Sequence, residues 1–179
     1  MAAVDYFLKI DGIKGESQDA SHKDEIDIIS FSWGMAQQGT AAKGGGMGAG
    51  KVAVHDISVT KQVDMASPKL FDACATGKHI ASAQLTCRKA GGSAIEYWTI
   101  KLTDILISSI RQAPPTFEYG GLTNTTGANA SSNAGSLLHD EIVTINYSAY
   151  EASYKGQQKD GTAGGAVTSK LNVKTMQAS

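Results

Sequence analysis

Two stretches of the sequence contain residues whose types and spacing could support chemistry. The first, Lys43-Gly-Gly-Gly-Met-Gly48, is rich in glycine, and backbone amides of such loops can bind phosphate groups. A phosphate-binding loop also needs a Lys-Ser/Thr pair and a following helix, whereas the residues from Lys51 onward are typical of a strand. We therefore expect neither nucleotide binding nor a bound cofactor.

The second stretch is His139-Asp140-Glu141, which places three possible metal ligands side by side. In a strand His139 and Glu141 share one face, so at most two of the three ligands would reach the same ion. The four histidines of the chain show neither His-x-His nor His-Glu-x-x-His spacing. We interpret the stretch as the beginning of a strand and predict no metal site.

Nucleophilic catalysis has no recognisable motif in this chain. Because a Gly-x-Ser-x-Gly elbow is absent, a Ser/His/Asp hydrolase would have to be assembled from scattered residues. Trp33 and Trp98 lie on the apolar phase of their predicted strands, which favours core packing over stacking on a sugar. The motifs therefore identify no catalytic residues and give a hydrolase little support.

Length and charge favour a single domain spanning residues 1–179. The chain has 16 Lys+Arg and 17 Asp+Glu, a net charge of -1, and no block of basic residues. Nucleic acid is therefore not an expected partner. No apolar run approaches the ~18 residues that cross a bilayer, so a membrane is not expected either.

Cysteine content and the first residues bear on the compartment. Cys74 and Cys87 are too few for a disulfide scaffold and are expected to be reduced thiols. The opening residues lack the basic and apolar regions of a signal peptide, so we expect no Sec export and a cytoplasmic location after synthesis.

Alternation of apolar and polar residues with a period of two dominates the chain and predicts strands. A phase change near His55-Asp56 suggests a bulge in one of these strands, and a bend is expected around Asp104 in another. The last strand is expected to be weak and to lie at a sheet edge. The predicted strands are Asp5–Ile10, Ile26–Trp33, Lys51–Val63, His79–Lys89, Ile95–Ile110, Leu138–Tyr154 and Val167–Val173.

One short helix is predicted between these strands, over about Pro68–Thr76. Ser67 is expected to be its N-cap, Pro68 suits the first helical position, and Gly77 ends it.

The second predicted strand carries a small polar face. Its bulky residues Ile29, Phe31 and Trp33 share one face and are expected to fill the interior. Ser30 and Ser32 then point away from the interior, because successive side chains of a strand alternate.

Three segments interrupt the strand pattern. Residues 34–50 are poor in large apolar side chains, so we expect this segment to need a partner surface to become ordered. Residues 113–136 contain Pro114-Pro115 and a tract of Thr, Asn, Ala, Ser and Gly, which predicts a mobile loop. Residues 156–179 form a polar tail.

The order of several motifs resembles the haemolysin-coregulated protein (Hcp) family of bacterial type VI secretion systems. No single motif is diagnostic, but their ordered occurrence along nearly the whole chain is specific. The motifs are Asp5–Ser17, His22, Glu25-Ile26-Asp27, Phe31–Gly34, Lys51–Ile57, Lys61, Ser67-Pro68, Cys74, Gly77-Lys78-His79, Arg88–Gly92, Tyr97–Ser109 and Glu141–Tyr147.

The resemblance implies a fold and an assembly. The expected fold is a closed β-barrel of two packed antiparallel sheets with one flanking helix, similar to phage tail tubes. Six copies would form a ring, and stacked rings would form the inner tube of a contractile injector. Expected partners are other copies of the chain, the spike protein, the contractile sheath and effector proteins in the lumen. The protein would be a structural carrier that is itself secreted through the machine.

The resemblance also implies two groups of site residues. Ser30 and Ser32 would line the lumen and contact effectors. The extended segment 34–50 would reach from one ring to the next through Gly39, Lys43, Gly44, Gly45, Gly46, Met47 and Gly48.

Two departures from the family pattern concern loops and tail. The loop after Ala113 is longer than usual, and Ser169-Lys170-Leu171-Asn172 stands where many relatives carry Gly-Trp-Asp. From the residues alone, two other classes stay open. One is a monomeric carbohydrate-binding or adhesive β-sandwich, and the other is a small hydrolase with scattered catalytic residues.

Overall fold

A computed structural model describes residues 4–40, 48–89, 95–113, 139–157 and 163–178. These residues form mainly strands, with one helix, α1 (Ser67–Thr76), between the sixth and seventh strands. No helix among the described residues has the length and apolar character needed to cross a membrane. The strands are β1 (Val4–Ile10), β2 (Ile26–Ile28), β3 (Ser30–Ser32), β4 (Met35–Thr40), β5 (Gly48–Val54), β6 (Ile57–Gln62), β7 (His79–Lys89), β8 (Ile95–Ala113), β9 (Asp140–Gln157), β10 (Ala163–Asn172) and β11 (Gln177–Ala178).

Antiparallel pairing joins all of these strands except β4 and β5 into one nearly closed, barrel-like sheet, in agreement with the predicted barrel. The sheet runs in the order β11, β10, β9, β8, β7, β1 and β2, while β6 pairs with both β3 and β9. Strand β9 is long enough to have two different neighbours on the same side. Its first half pairs with β6, and its second half, from Ala149, pairs with β10. The chain passes from β2 to β3 across Ile29, and this passage completes the circuit.

The predicted strand Ile26–Trp33 is therefore two strands that belong to different parts of the barrel. Ile28 pairs with Tyr6 of β1, whereas Phe31 pairs with Val59 of β6. Between them, the Ile29 backbone N–H donates a hydrogen bond to the Thr60 carbonyl at 2.8 Å. Ile29 is thus the corner at which the chain leaves one neighbour for another, rather than the middle of a regular strand.

Other predicted strands agree with the structure, with local corrections. Strand β7 has the predicted bounds His79–Lys89. Asp104 has a positive φ of 51°, which accounts for the bend expected in β8. Strict alternation along β7 would bury Ala81 together with Ala83 and Leu85, but Ala81 is exposed because the strand pairing is interrupted opposite Asp104. The irregularity expected at His55-Asp56 is a complete break between β5 and β6, which belong to different sheets.

The helix prediction is confirmed except for its cap. Gly77 ends the helix in the left-handed conformation, with φ of 62°, and its neighbour Lys78 donates its backbone N–H to the Ala73 carbonyl. Ala66, not Ser67, occupies the N-cap position, and no side chain caps the helix. Ser67 is buried, and its hydroxyl donates a hydrogen bond to the Glu141 carboxylate instead of capping the helix.

Residues 34–50 contain a β-hairpin made by β4 and β5. The two strands pair from Met35 opposite Val54 to Thr40 opposite Gly48, with an irregularity next to Gly39. We expected this segment to need a partner surface to become ordered. In the structure, backbone hydrogen bonds between β4 and β5 order its described residues instead. Residues 41–47 lie outside the described part of the chain, as do residues 114–136 of the predicted mobile loop. The polar tail begins its strand pairing at Ala163, earlier than predicted.

The barrel interior is filled mainly by aliphatic side chains from β1, β2, β6, β7, β8, β9 and α1. Each fully buried Leu or Ile contributes about 1.5–3 kcal/mol relative to exposure, so this core supplies most of the driving force for folding. The side chains that are almost completely buried include Leu8, Ile26, Ile57, Leu70, Leu85, Ile100, Leu102, Ile105, Ile107 and Ile145.

A buried ion pair also lies inside the barrel. Lys61 on β6 and Glu141 on β9 are both 0% exposed, and the Lys61 Nζ lies 2.8 Å from Glu141 Oε2. The Ser67 hydroxyl donates to Glu141 Oε2 at 2.6 Å, and the Gln112 amide donates to Oε1 at 2.8 Å. Burial alone would raise the pKa of Glu141, but the hydrogen bonds from Gln112, Lys61 and Ser67 outweigh it and hold that pKa below its ordinary value.

A second ionic cluster fixes the loop between β1 and β2 to the outside of the barrel. The Arg88 guanidinium lies over the Phe7 ring, 4.8 Å from its centroid, and the His22 ring stacks on Phe7 at 4.2 Å. Arg88 donates hydrogen bonds to both carboxylate oxygens of Asp19, at 2.8 and 2.6 Å, and another to Asp5. These bonds from Arg88, aided by backbone N–H groups, lower the pKa of Asp19 to about 2.

Replacing Glu141 with glutamine leaves the Lys61 ammonium buried with Asp64 as its remaining carboxylate. Because Asp64 compensates this buried charge only in part, we expect the free energy of unfolding to fall by about 2–3 kcal/mol in urea denaturation, less than for a fully unpaired buried charge. Glu151→Gln is the matched control, since its pair with Lys170 is solvent-exposed and is expected to contribute less than about 1 kcal/mol. Equal losses in the two variants would contradict this account.

Acid sensitivity is expected from the Asp19–Arg88 contact. A carboxylate whose pKa is lowered by folding stabilises the protein above its unfolded pKa of about 3.9, and this contribution disappears as the pH falls towards 2. We expect Asp19→Asn to lower the melting temperature at pH 6 and to flatten its dependence on pH between about 4 and 2. Asp24→Asn, in the same loop with its partner Lys14 exposed, is the control. A wild-type acid profile in Asp19→Asn would refute the assignment.

Candidate functional site

One outer face of the barrel exposes hydroxyl side chains along four adjacent strands. Ser30 lies opposite Thr60, and Ser32 lies opposite Ser58, in the pairing of β3 with β6. Ser58 lies in turn opposite Thr144 on β9. We call this surface the hydroxyl face, and its members are Ser30, Ser32, Ser58, Thr60, Ser108, Ser109 and Thr144.

Alternation along the strands gives this face its polar character. Between the two serines of β3, Phe31 points inward and pairs with Val59, which pairs with Val143; both valines are buried. Ser30 and Ser32 are exposed, so the predicted orientation of both side chains is confirmed. Their contact with effectors stays a prediction.

A β-bulge adds two hydroxyls to the face from β8. The register between β8 and β9 shifts between Ile107 and Ser109, so that Ser108 and Ser109 both lie beside Thr144. The Ser108 hydroxyl oxygen lies 3.0 Å from Thr144 Oγ1, and Ser109 shares a short hydrogen bond with the same Thr144 oxygen. The only signal in the sequence is the Ser-Ser pair that breaks alternation between Ile107 and Ile110.

One end of the hydroxyl face is bounded by a fixed carboxylate, Asp56. It accepts hydrogen bonds from the Ser108 hydroxyl at 2.5 Å and from the Asn146 amide at 2.7 Å. The break between β5 and β6 places Asp56 at this end. Because its two oxygens already have protein partners, Asp56 acts as an orienting group for the adjacent side chains.

Aromatic contacts anchor the strand that carries Ser30 and Ser32 where it enters the hairpin. The Trp33 indole N–H donates to the Tyr147 hydroxyl at 2.6 Å, and Tyr147 donates to the His55 carbonyl at 3.1 Å. Trp33 also meets Tyr150 edge to face, with ring centroids 4.9 Å apart. Burial raises the pKa of Tyr147, so the hydroxyl remains a donor at neutral pH. The predicted packing role of Trp33 is confirmed.

The chemistry available on the hydroxyl face is hydrogen bonding. None of its hydroxyl groups has a histidine as a hydrogen-bond partner in the described part of the chain, and the one carboxylate in contact with them, Asp56, also binds the Asn146 amide. Among the described residues, no group of three or more His, Cys, Asp or Glu side chains is arranged to hold a metal ion. In the stretch His139-Asp140-Glu141, the Glu141 carboxylate is buried and forms an ion pair with Lys61, so it does not face the same surface as an exposed His139.

The second predicted group of site residues is only partly described. Gly39 and Gly48 lie in β4 and β5, opposite Ala49 and Thr40 respectively. Lys43, Gly44, Gly45, Gly46 and Met47 lie outside the described residues. The hairpin follows the end of β3 after two residues, so the two predicted groups lie on successive stretches of the chain.

The chain is similar to known proteins over nearly its whole length. The family model described as type VI secretion system effector, Hcp, matches residues 7–154. Protein hcp1 of Pseudomonas aeruginosa is 41% identical over 174 residues, which cover 96% of each chain. The crystal structure of Hcp1 from Salmonella typhimurium matches with a TM-score of 0.72 and 31% identity over 100% of both chains.

A structure described as a type six secretion system protein matches with a TM-score of 0.84 and 26% identity, over 99% of this chain and 100% of that one. The barrel, its flanking helix and the ordered sequence motifs thus agree with one family. This chain belongs to the Hcp family of type VI secretion proteins.

Proposed function

We propose that this chain is a structural subunit of the type VI inner tube. Six copies form a ring, rings stack into a tube, and effectors travel in the lumen against the hydroxyl face. The observation that carries this proposal is the exposed hydroxyl face on a barrel of the Hcp family. The subunit has no catalytic step of its own, is made in the cytoplasm and is secreted with its cargo through the machine.

The hydroxyl face suits the wall of a channel for folded proteins. Serine and threonine side chains are small, and their hydroxyls both donate and accept hydrogen bonds. Dehydrating a hydroxyl costs less than dehydrating a charged group, so cargo can bind and later leave without breaking buried ion pairs. Such a surface supports contact with effectors of different sequence.

Ring formation requires a head-to-tail contact, because a ring of identical subunits joins two different surfaces of each copy. The sheet ends at β11 and β10, and an edge strand offers unpaired backbone groups to a neighbour. Next to this edge, Val167 lies opposite Tyr154, and the two residues are 71% and 46% exposed. This apolar pair supports our proposal that the edge is covered in the assembled ring.

The β4–β5 hairpin is proposed to connect successive rings. Its strands belong to a two-stranded sheet separate from the barrel, so its outer end can contact another copy without disturbing the core. The spike protein, the contractile sheath and the effectors are the further proposed partners of the assembled tube.

Assembly is tested by comparing the unaltered protein with a variant lacking Ala41–Gly48. We expect both proteins to elute as hexamers in size-exclusion chromatography with light scattering, and rings to be visible by negative-stain microscopy without added partners. The deletion is expected to abolish tubes and secretion, because it removes the end of the hairpin. Normal tubes from the variant would refute the stacking role, and a monomeric unaltered protein would instead favour a monomeric carbohydrate-binding or adhesive domain.

Replacement of Ser32 tests whether the hydroxyl face contacts cargo. We expect Ser32→Gln to leave the hexamer intact and to lower the amount of at least some co-purified effectors several-fold, because a larger amide changes packing and dehydration at the contact. Ser82→Gln is the matched control, because Ser82 is exposed on β7, which does not contribute to the hydroxyl face. An intact hexamer with undiminished cargo would exclude the lumen role, and a monomer would place Ser32 in a subunit contact.

A further inference from the structure

Among the described residues, an arginine without a hydrogen-bond or ion-pair partner flanks the hydroxyl face. Arg111 on β8 lies opposite Ile142 of β9. Ile142 lies opposite Thr60 of β6, and Thr60 lies opposite Ser30 of β3. These four side chains therefore form one row across the outer face. Arg111 is exposed, and within the described part of the chain its guanidinium has neither a hydrogen-bond nor an ion-pair partner.

The other arginine of the chain shows what a structural guanidinium looks like in this protein. Arg88 binds two carboxylates, those of Asp19 and Asp5, and lies over an aromatic ring. Arg111 has none of these contacts. On the same face Asp56 is already engaged by Ser108 and Asn146. Asp140 faces the same side but lies opposite Ala113 rather than Arg111.

The chemistry of this row fits a carboxylate. A guanidinium presents a planar fork of N–H donors that matches the two oxygens of Asp or Glu, which an ammonium cannot reproduce. The half-buried Ile142 lies beside the arginine stem, and the Thr60 and Ser30 hydroxyls continue the row as further hydrogen-bond partners. The arginine in this row would bind only a negatively charged group, whereas the hydroxyls could form hydrogen bonds with a cargo protein of any sequence.

We propose that Arg111 is a specificity-determining residue that selects cargo segments containing exposed Asp or Glu side chains. This inference rests on the proposed function, because it takes the hydroxyl face as the cargo surface. In a ring, six Arg111 side chains act on the same cargo, so a weak single contact becomes selective through repetition.

The test uses the assembled protein and two short fluorescein-labelled peptides, one of repeated Glu-Ser-Ala and one of repeated Lys-Ser-Ala. Binding is measured by fluorescence anisotropy at low and high salt. We expect the unaltered ring to prefer the Glu peptide, and Arg111→Glu to weaken that binding about fivefold or more and to reverse the preference. Arg111→Lys should retain part of the affinity, and high salt should remove most of the difference.

Lys101→Glu is the matched control because it makes the same change of charge on the same strand. Lys101 is exposed in the other half of β8, where its neighbours are Gln84 and Glu151 instead of the hydroxyl face. We expect this variant to bind the Glu peptide within about twofold of the unaltered protein, since long-range charge effects are screened over about 10 Å. Equal weakening by both variants would overturn the inference, because it would show a general effect of net charge.

Three further outcomes also overturn it. If the unaltered ring shows no preference for the Glu peptide, Arg111 does not select acidic segments. If Arg111→Glu dissociates the hexamer, Arg111 belongs to a contact between copies of the chain. Loss of effectors in Ser32→Gln together with unchanged peptide binding in Arg111→Glu would remove this inference and leave the proposed function standing. If instead the Ser32 variant retains all its cargo, the proposed lumen role fails.

Discussion

The ion pair between Lys61 and Glu141 is the contact on which the closed barrel depends most. Its members and their hydrogen-bond partners come from four elements: Lys61 from β6, Glu141 from β9, Ser67 from α1 and Gln112 from β8. A buried ammonium is tolerated only when its charge and its donors are matched. Lys61 meets this condition through Glu141, Asp64, the Ser67 hydroxyl and the Gln62 carbonyl, so the interior has a single arrangement in which all four elements fit.

The hydroxyl face and this ion pair are two sides of the same strands. Thr60 and Ile142 point outward next to Lys61 and Glu141, which point inward. Because alternation links each outward position to an inward one, fixing the register at the ion pair also fixes which side chains are exposed. A slip of one residue would bury the hydroxyls and expose the charges. The buried ion pair thus determines which side chains of β6 and β9 are exposed on the hydroxyl face.

Features that depend on neighbouring residues could be predicted from the sequence, and those that depend on distant partners could not. Period-two alternation located most strands, Pro68 and Gly77 located the helix, and the bend at Asp104 was anticipated. The corner at Ile29 was missed because it arises from an exchange of partner strands. Ser67 was assigned to a cap because its attraction to Glu141, 74 residues away in the chain, is invisible locally. Likewise Ser30 and Ser32 were found, whereas Ser58, Thr60 and Thr144 join them only through register.

The base of the β4–β5 hairpin has a mechanical consequence. The hairpin leaves the barrel at Gly34 and returns at His55, where the His55 backbone N–H donates to the Gly34 carbonyl at 3.1 Å. The Tyr147 hydroxyl donates a hydrogen bond to the carbonyl of His55, and the Trp33 indole N–H donates to the Tyr147 hydroxyl. These hydrogen bonds therefore tie the base of the hairpin to β9 of the barrel through one tyrosine. Loss of the Tyr147 hydroxyl would break both hydrogen bonds at once, so a single side-chain oxygen couples the orientation of the hairpin to the barrel.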